Sequence, residues 1–245
     1  MEWQDEGVLL RIRSHGETDA VASAFTFANG RHAGLVKGGA GRKASTVLQP
    51  GNRVQLVWKA RLSDQLGHYT VEPMRLFANR LVGDPVRLAA LGSATTLVEM
   101  SLAERDPHPV LYAAMLKLLG DLADDAGWPE TYVRFELVLL HELGFGLGLE
   151  SCAVTGVTTD LVFVSPRTGR AVSREAAGDL AGRLLPLPSF LRGEGQADLE
   201  AIRAGLQLTG HFLQKHVTGP MDQPLPATRE RLAQLLAPKV ETSIS

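Results

Sequence analysis

Arg53-Val-Gln-Leu-Val-Trp-Lys-Ala-Arg61 decides the reading of this chain, because its residues alternate in character. Arg53, Gln55, Val57, Lys59 and Arg61 fall on one side, and Val54, Leu56, Trp58 and Ala60 on the other. Period two sends successive side chains to opposite faces of a strand, so one face can rest on a core while the other presents cations. By the same alternation Trp58 belongs with the core. The strand closes a longer run, Ala20 to Ser63, in which all 44 residues are free of Asp and Glu. That run carries Arg31, Lys37, Arg42, Lys43, Arg53, Lys59 and Arg61. Within it Lys37-Gly-Gly-Ala-Gly-Arg-Lys43 forms a flexible basic loop. A cationic strand face beside such a loop suits a polyphosphate backbone. The same pattern also describes a solvated sheet surface with a mobile loop.

Working outward, residues 7–17 read as a first strand, and Ala20 to Phe27 and Arg31 to Val36 flank Asn29-Gly30. That dipeptide favours the type I′ hairpin turn. Pro50-Gly51 marks the turn before the alternating strand, and a last strand covers about 67–77. Five short strands in residues 1–80 predict a small antiparallel barrel of the oligonucleotide-binding (OB) type. From Val82 onward the chain is rich in alanine and leucine, which predicts helices over 86–104, 109–123 and 129–143. Pro129 suits a first helical turn, and Gly144 an end. Residues 151–173 break this rhythm as a small β insertion. Helices resume over 173–183, 198–217 (with Asp198 as N-cap) and 226–237. The expected fold class is α+β: an OB barrel over 1–80 and an α-helical domain over 81–245, interrupted at 151–173.

The net charge of −2 conceals a split. Residues 1–80 hold eleven Lys and Arg against seven Asp and Glu, and the remainder hold fourteen against twenty. An anion-binding head on an acidic body fits that asymmetry. One cysteine, Cys152, excludes an intramolecular disulfide and points to a reducing compartment. The N-terminal stretch has no basic region followed by an apolar one, and no apolar run reaches membrane-spanning length, so the expectation is a cytoplasmic protein without a membrane partner.

Enzyme signatures fail on inspection. His141-Glu142-Leu-Gly-Phe145 begins like a zinc-protease helix but carries Phe where the second histidine belongs. His211 and His216 are five apart, about 140° round a helix, and do not share a face. Gly144-Phe-Gly-Leu-Gly148 follows a helix instead of opening one, and the loop 38–43 lacks P-loop spacing. No catalytic residue, metal or cofactor is expected. Arg134, among apolar neighbours on its helix, needs an anion; Glu130 or Glu136 can supply it internally, or an external carboxylate can.

Taken in order, several short motifs form a pattern: Glu6-Gly-Val-Leu-Leu10, His15-Gly-Glu17, Val71-Glu-Pro73, Arg134-Phe-Glu136 leading into Leu143-Gly-Phe-Gly146, and Val164-Ser-Pro166 with Gly169. In this order, and over nearly the whole length, the chain resembles the RecO family of bacterial DNA repair and recombination mediators. The resemblance implies an OB barrel, a helical domain and, in many members, a zinc-finger-like insertion. It also implies an ATP-independent protein of the nucleoid that binds single- and double-stranded DNA and anneals complementary strands. The implied protein partners are RecR and the acidic C-terminal tail of single-stranded DNA-binding protein, through which RecA is loaded on coated DNA; Arg134 is the expected contact for that tail. Zinc-bearing relatives carry two Cys-x-x-Cys pairs. Here the pairs read Cys152-Ala-Val-Thr155 and Ser173-Arg-Glu-Ala176, so three of four thiolates are missing and structural zinc is not expected. Leu161, Phe163 and Val172 are expected to hold the insertion, with Cys152 as packing.

On this reading, phosphates are met by Arg31, Lys37, Arg42, Lys43, Arg53, Lys59 and Arg61, with Tyr69 available for base stacking. The alternatives are an adaptor in which protein partners dominate and DNA binding is secondary, or an enzyme whose site leaves no motif.

Overall fold

The computed structural model describes residues 1–42, 44–62, 65–124 and 127–237. The N-terminal unit opens with five strands: β1 (Glu2–His15), β2 (Asp19–Thr26), β3 (Gly30–Val36), β4 (Arg53–Lys59) and β5 (His68–Arg75), with the short helix α1 (Ala44–Val47) between β3 and β4. They close as β1-β2-β3-β5-β4, with β4 pairing back onto β1. A five-stranded closed order of this kind is the OB barrel. Only β3 and β5 pair in parallel, through Leu35 and His68.

Alternation builds the barrel core. Val54, Leu56 and Trp58 of β4 are buried, beside Leu9, Ala22, Ala24 and Tyr69. Trp58 is inside as expected, with its Nε1–H donating to Leu66 O at 2.9 Å. Tyr69, expected as a base-stacking residue, is 4% exposed. Its ring lies inward on β5, where its hydroxyl meets His32 Nδ1 at 3.1 Å.

Two local expectations change. β1 begins at Glu2, five residues earlier than its apolar run suggests, because Glu2 to Val8 pair with β4. The β2–β3 turn is not type I′: Thr26 pairs with Gly30 across three residues, and Asn29 does not adopt a positive φ whereas Gly30 does, at 64°. The Asp5 carboxylate instead accepts from Ala28 N at 2.8 Å, Asn29 N at 3.1 Å and Asn29 Nδ2 at 2.9 Å. Glycine is also required at position 30 by crowding, since a Cβ there would meet Asp106 O at 2.2 Å.

The barrel continues into helices α2 (Phe77–Arg80), α3 (Pro85–Ser101), α4 (Pro109–Asp124) and α5 (Trp128–Glu142). Asp84 caps α3 by accepting from Val86 N and Arg87 N, with Pro85 at the first turn. The helices pack against the barrel: Phe25 of β2 meets Tyr112 of α4 at 5.5 Å between rings, and Ser23 Oγ donates to Glu99 Oε2 at 2.5 Å. Barrel and helices therefore form one compact unit, Met1–Gly146, and the second spans Leu147–Ser245. By compactness the chain divides at 146, because the barrel face that carries Phe25 packs on the helices.

The second unit contains β6 (Leu161–Val164), β7 (Ala171–Ser173) and β8 (Leu185–Pro186) in the order β7-β6-β8. The third strand lies beyond the expected limit of 173, where the sequence offers only two residues to mark it. Helix α6 (Arg174–Ala177), helix α7 (Leu199–Leu213), continued by a π turn over Gln214–Thr218, and helix α8 (Ala227–Leu235) complete it. Asp198 caps α7 by accepting from Ala201 N at 2.8 Å. Leu161 and Val172 are buried as expected, but Phe163 is only half-buried and Val164 takes the inner place.

Candidate nucleic-acid interface

The turn between β1 and β2 gathers cations from three directions. Glycine-loop residue Ala40 donates its amide to Thr18 O at 2.9 Å, and Asp19 Oδ1 accepts from Gly38 N at 2.8 Å. These bonds dock the segment bearing exposed Lys37 and Arg42 onto the β1–β2 turn. The Gly38 amide is the main reason that the Asp19 carboxyl sits below its ordinary range, with the Thr18 hydroxyl, His15 and Lys37 adding to it. Arg11 and Arg13 extend along β1 from the same turn, both exposed and opposite Ser23 and Val21 of β2. They line a cleft of about 200 Å³ with Arg31, Glu99 and Glu104. The loop after β4 approaches the same rim through Leu35 N, which donates to Gly67 O at 3.0 Å. OB barrels bind on this side, over strands two and three and the loops 1–2 and 4–5.

The expected cations divide into two groups. Lys37 and Arg42 reach the rim, and Arg61 is exposed just after β4; Lys43 lies outside the described residues. Arg31, Arg53 and Lys59 instead meet carboxylates. Arg31 Nε donates to Leu102 O at 2.9 Å, and its Nη1 lies 3.5 Å from Glu104 and 3.9 Å from Glu99. Arg53 is bound to Glu6 at 2.5 Å; burial opposes its charge, but that hydrogen bond and charge outweigh burial and keep it protonated. Lys59 pairs with Glu2 at 2.9 Å while remaining well exposed. The acid-free stretch thus does not make an acid-free surface, because β1, α3 and the segment after α3 bring carboxylates to it. Conversely, Arg11 and Arg13 were overlooked in the sequence, although Leu10-Arg11-Ile12-Arg13 alternates just as the later strand does.

Arg134 lies on the exposed side of α5 and binds Glu130 Oε1 at 2.9 Å, an i,i+4 pair. Glu136, the other internal candidate, points inward: it is fully buried and accepts from Tyr132 Oη at 2.8 Å, which itself meets Ser93 Oγ at 2.5 Å.

The fold brings the four zinc-pair positions near one another without restoring the ligands. Cys152 Sγ lies 3.4 Å from Ser173 N and 3.6 Å from Ser173 Oγ, and Ser173 Oγ in turn accepts from Ala176 N. One thiolate with hydroxyls and an alanine does not fit tetrahedral zinc. Among the described residues no group of three or more His, Cys, Asp and Glu could hold a metal. Burial raises the Cys152 pKa, but hydrogen bonds from the Thr155 hydroxyl and the Ser173, Thr155 and Val154 amides prevail and lower it to about 6.

The architecture defines a class: an OB barrel continued by a helical body that carries a three-stranded insertion. Within that class, the chain belongs to the recombination protein O family. Residues 1–77 match the family's N-terminal domain and residues 82–223 its C-terminal domain. It is 51% identical to a DNA repair protein RecO of Cereibacter sphaeroides over 238 residues, 97% of this chain and 99% of the relative. Against proteins of the same name from Dinoroseobacter shibae and Roseobacter denitrificans the identities are 49% and 46%, over 97% and 96% of this chain and 98% of each relative. A general role in DNA repair and recombination follows from that membership. Among the described residues no helix is long and apolar enough to cross a membrane.

Proposed function

We propose that this protein is a mediator without catalysis of its own, which binds single- and double-stranded DNA in the bacterial cytoplasm, at the nucleoid, and anneals complementary strands. The observation that carries this is that Arg11 and Arg13 on β1, with Lys37 and Arg42 in the loop docked on the β1–β2 turn, are exposed and in no ion pair among the described residues. Backbone phosphates supply the matching charge, and such contacts carry no sequence information, which suits annealing. Annealing requires screening of two repelling backbones while base edges stay free to pair. Exposed Arg61 and Lys59 extend the surface; Arg31 and Arg53, bound by carboxylates, chiefly hold the barrel. In this reading RecR and the tail of single-stranded DNA-binding protein are the protein partners, and they direct RecA onto coated DNA. A tail carboxylate competes with Glu130 for Arg134, so Arg134→Ala weakens binding of a tail peptide and spares DNA affinity.

The test is a salt titration of binding to a labelled single strand. With ~4 phosphates contacted, and about 0.7 of slope for each, log affinity falls with log salt at about −3. Changing Arg13, Lys37 and Arg42 together to Ala removes about 2 from that slope and slows annealing measured without nucleotide or metal. Weak affinity that ignores salt, with tail-peptide binding intact, selects the adaptor reading instead.

A further inference from the structure

At one end of the barrel an aromatic cluster reaches the surface. Trp58 is 2% exposed, and His32 and Tyr69 are each 4% exposed, whereas Trp3 is half-buried. Trp3 lies over Trp58 with 5.8 Å between rings and 19° between planes. His32 meets both indoles edge-on at 5.0 Å, and Tyr69 braces Trp3 at 6.0 Å. The open indole thus rests on buried rings that are themselves fixed, Trp58 by Leu66 O and His32 by the Tyr69 hydroxyl. A platform already held in place loses little freedom when a planar ligand covers it.

Above the cluster lies a cavity of about 240 Å³, walled by Trp3, Trp58, His32, Asn29, Glu2 and Arg105. Pockets for drug-sized ligands run from about 300 to 1,000 Å³, so this one suits a single small ring. Its wall is built: Asn29 is held by Asp5, and Glu2 by Lys59. Arg105 has a left-handed backbone, φ 64°, uncommon for a side-chain-bearing residue and typical of strained functional positions. Its amide donates to Arg31 O at 2.8 Å, which fixes the strained residue against β3. Its side chain is exposed and in no ion pair among the described residues. Arg105 lines the same cavity as the rings, and its charge joins burial in lowering the His32 pKa.

We propose that this barrel-end pocket takes one unpaired nucleobase of single-stranded DNA, with the base on Trp3 and the adjoining phosphate on Arg105. The inference rests on the DNA-binding reading above and adds to it a contact with the base itself. A duplex base enters only by giving up its stacking and its pair, a cost that an unpaired base does not carry. Stacking on an indole accepts any base, so the pocket favours single strands without reading sequence. Its lining shares no residue with the cleft of Arg11 and Arg13; stacking on Trp3 does not depend on salt, whereas the Arg105–phosphate contact adds to the salt slope of both strands alike.

The test compares oligothymidine with an abasic strand of equal length and charge, by anisotropy, on the intact protein. The unmodified strand is expected to bind on the order of 10-fold tighter or more, at an equal salt slope. Trp3→Ala abolishes that preference, Trp3→Phe keeps most of it, and Arg105→Ala weakens both strands alike. Equal affinity of the two strands for the wild-type protein overturns the pocket, as does an undiminished preference in a folded Trp3→Ala variant. Failure of both strands to bind overturns the DNA-binding reading and this inference with it.

Discussion

His32 is a polar residue in an apolar place, and its surroundings set a pH dependence. Burial lowers its pKa below the ordinary 6.5, and Arg105 adds to the shift, against smaller opposing effects from the Ala33 backbone and Glu104. The unfolded chain therefore takes up a proton at this site before the folded one does. Stability is unaffected above about pH 6.5 and falls as pH drops below it, because protons then favour the unfolded state. The midpoint of thermal unfolding should fall on acidification from pH 6.5, and His32→Gln should flatten that limb even though it costs stability at neutral pH. None of this was visible in the string of residues, where His32 is one of seven histidines. Alternation does place it with Arg31 and Ala33 on opposite faces, but only the closed barrel surrounds it with Trp3, Trp58 and Tyr69. Arg53 and Lys59 give the converse case: their facing was legible from period two, while their carboxylate partners, Glu6 and Glu2, come from a strand some fifty residues earlier.

At the scale of elements, capping and turn chemistry were readable where the donors are local. Asp198 before α7 accepts the Ala201 amide as expected, and Asp84 before Pro85, not among the expected caps, accepts from Val86 and Arg87. Asp84→Ala should cost about 1 kcal/mol in urea unfolding, the ordinary loss for a cap. The β2–β3 turn was misread because its stabilising group is not local. Asp5 accepts three donors from Ala28 and Asn29 across more than twenty residues, which lets a three-residue turn replace the tighter one that Asn29-Gly30 favours. Asp5→Ala leaves those donors without their partner, and an expected loss of about 1–3 kcal/mol would show in the same experiment. The cap of α7 and the cap of the turn thus differ in legibility by sequence distance and not in chemistry. Helix α1 escaped notice for a related reason: four residues carry too little periodicity to register.

For the molecule as a whole, the compact unit Met1–Gly146 implies that the barrel is incomplete when cut where its strands end. A fragment of residues 1–146 should unfold cooperatively, whereas one of residues 1–80 should not. The shorter piece uncovers Phe25 from Tyr112 and strips Arg31 of Leu102 O and both its carboxylates. A cooperative transition in the shorter fragment, followed by circular dichroism, would show the barrel to be self-sufficient. The sequence by itself determined the barrel strands, the long helices, the inward place of Trp58 and the loss of the zinc ligands, since each depends on residue type and spacing along a few turns of chain. Only the tertiary structure decided which cations enter ion pairs, that the basic loop docks on the β1–β2 turn, and that an indole at the barrel's end remains open. Charges and rings interact through space, and distance in space is set by strand pairing and helix packing between segments far apart in the chain.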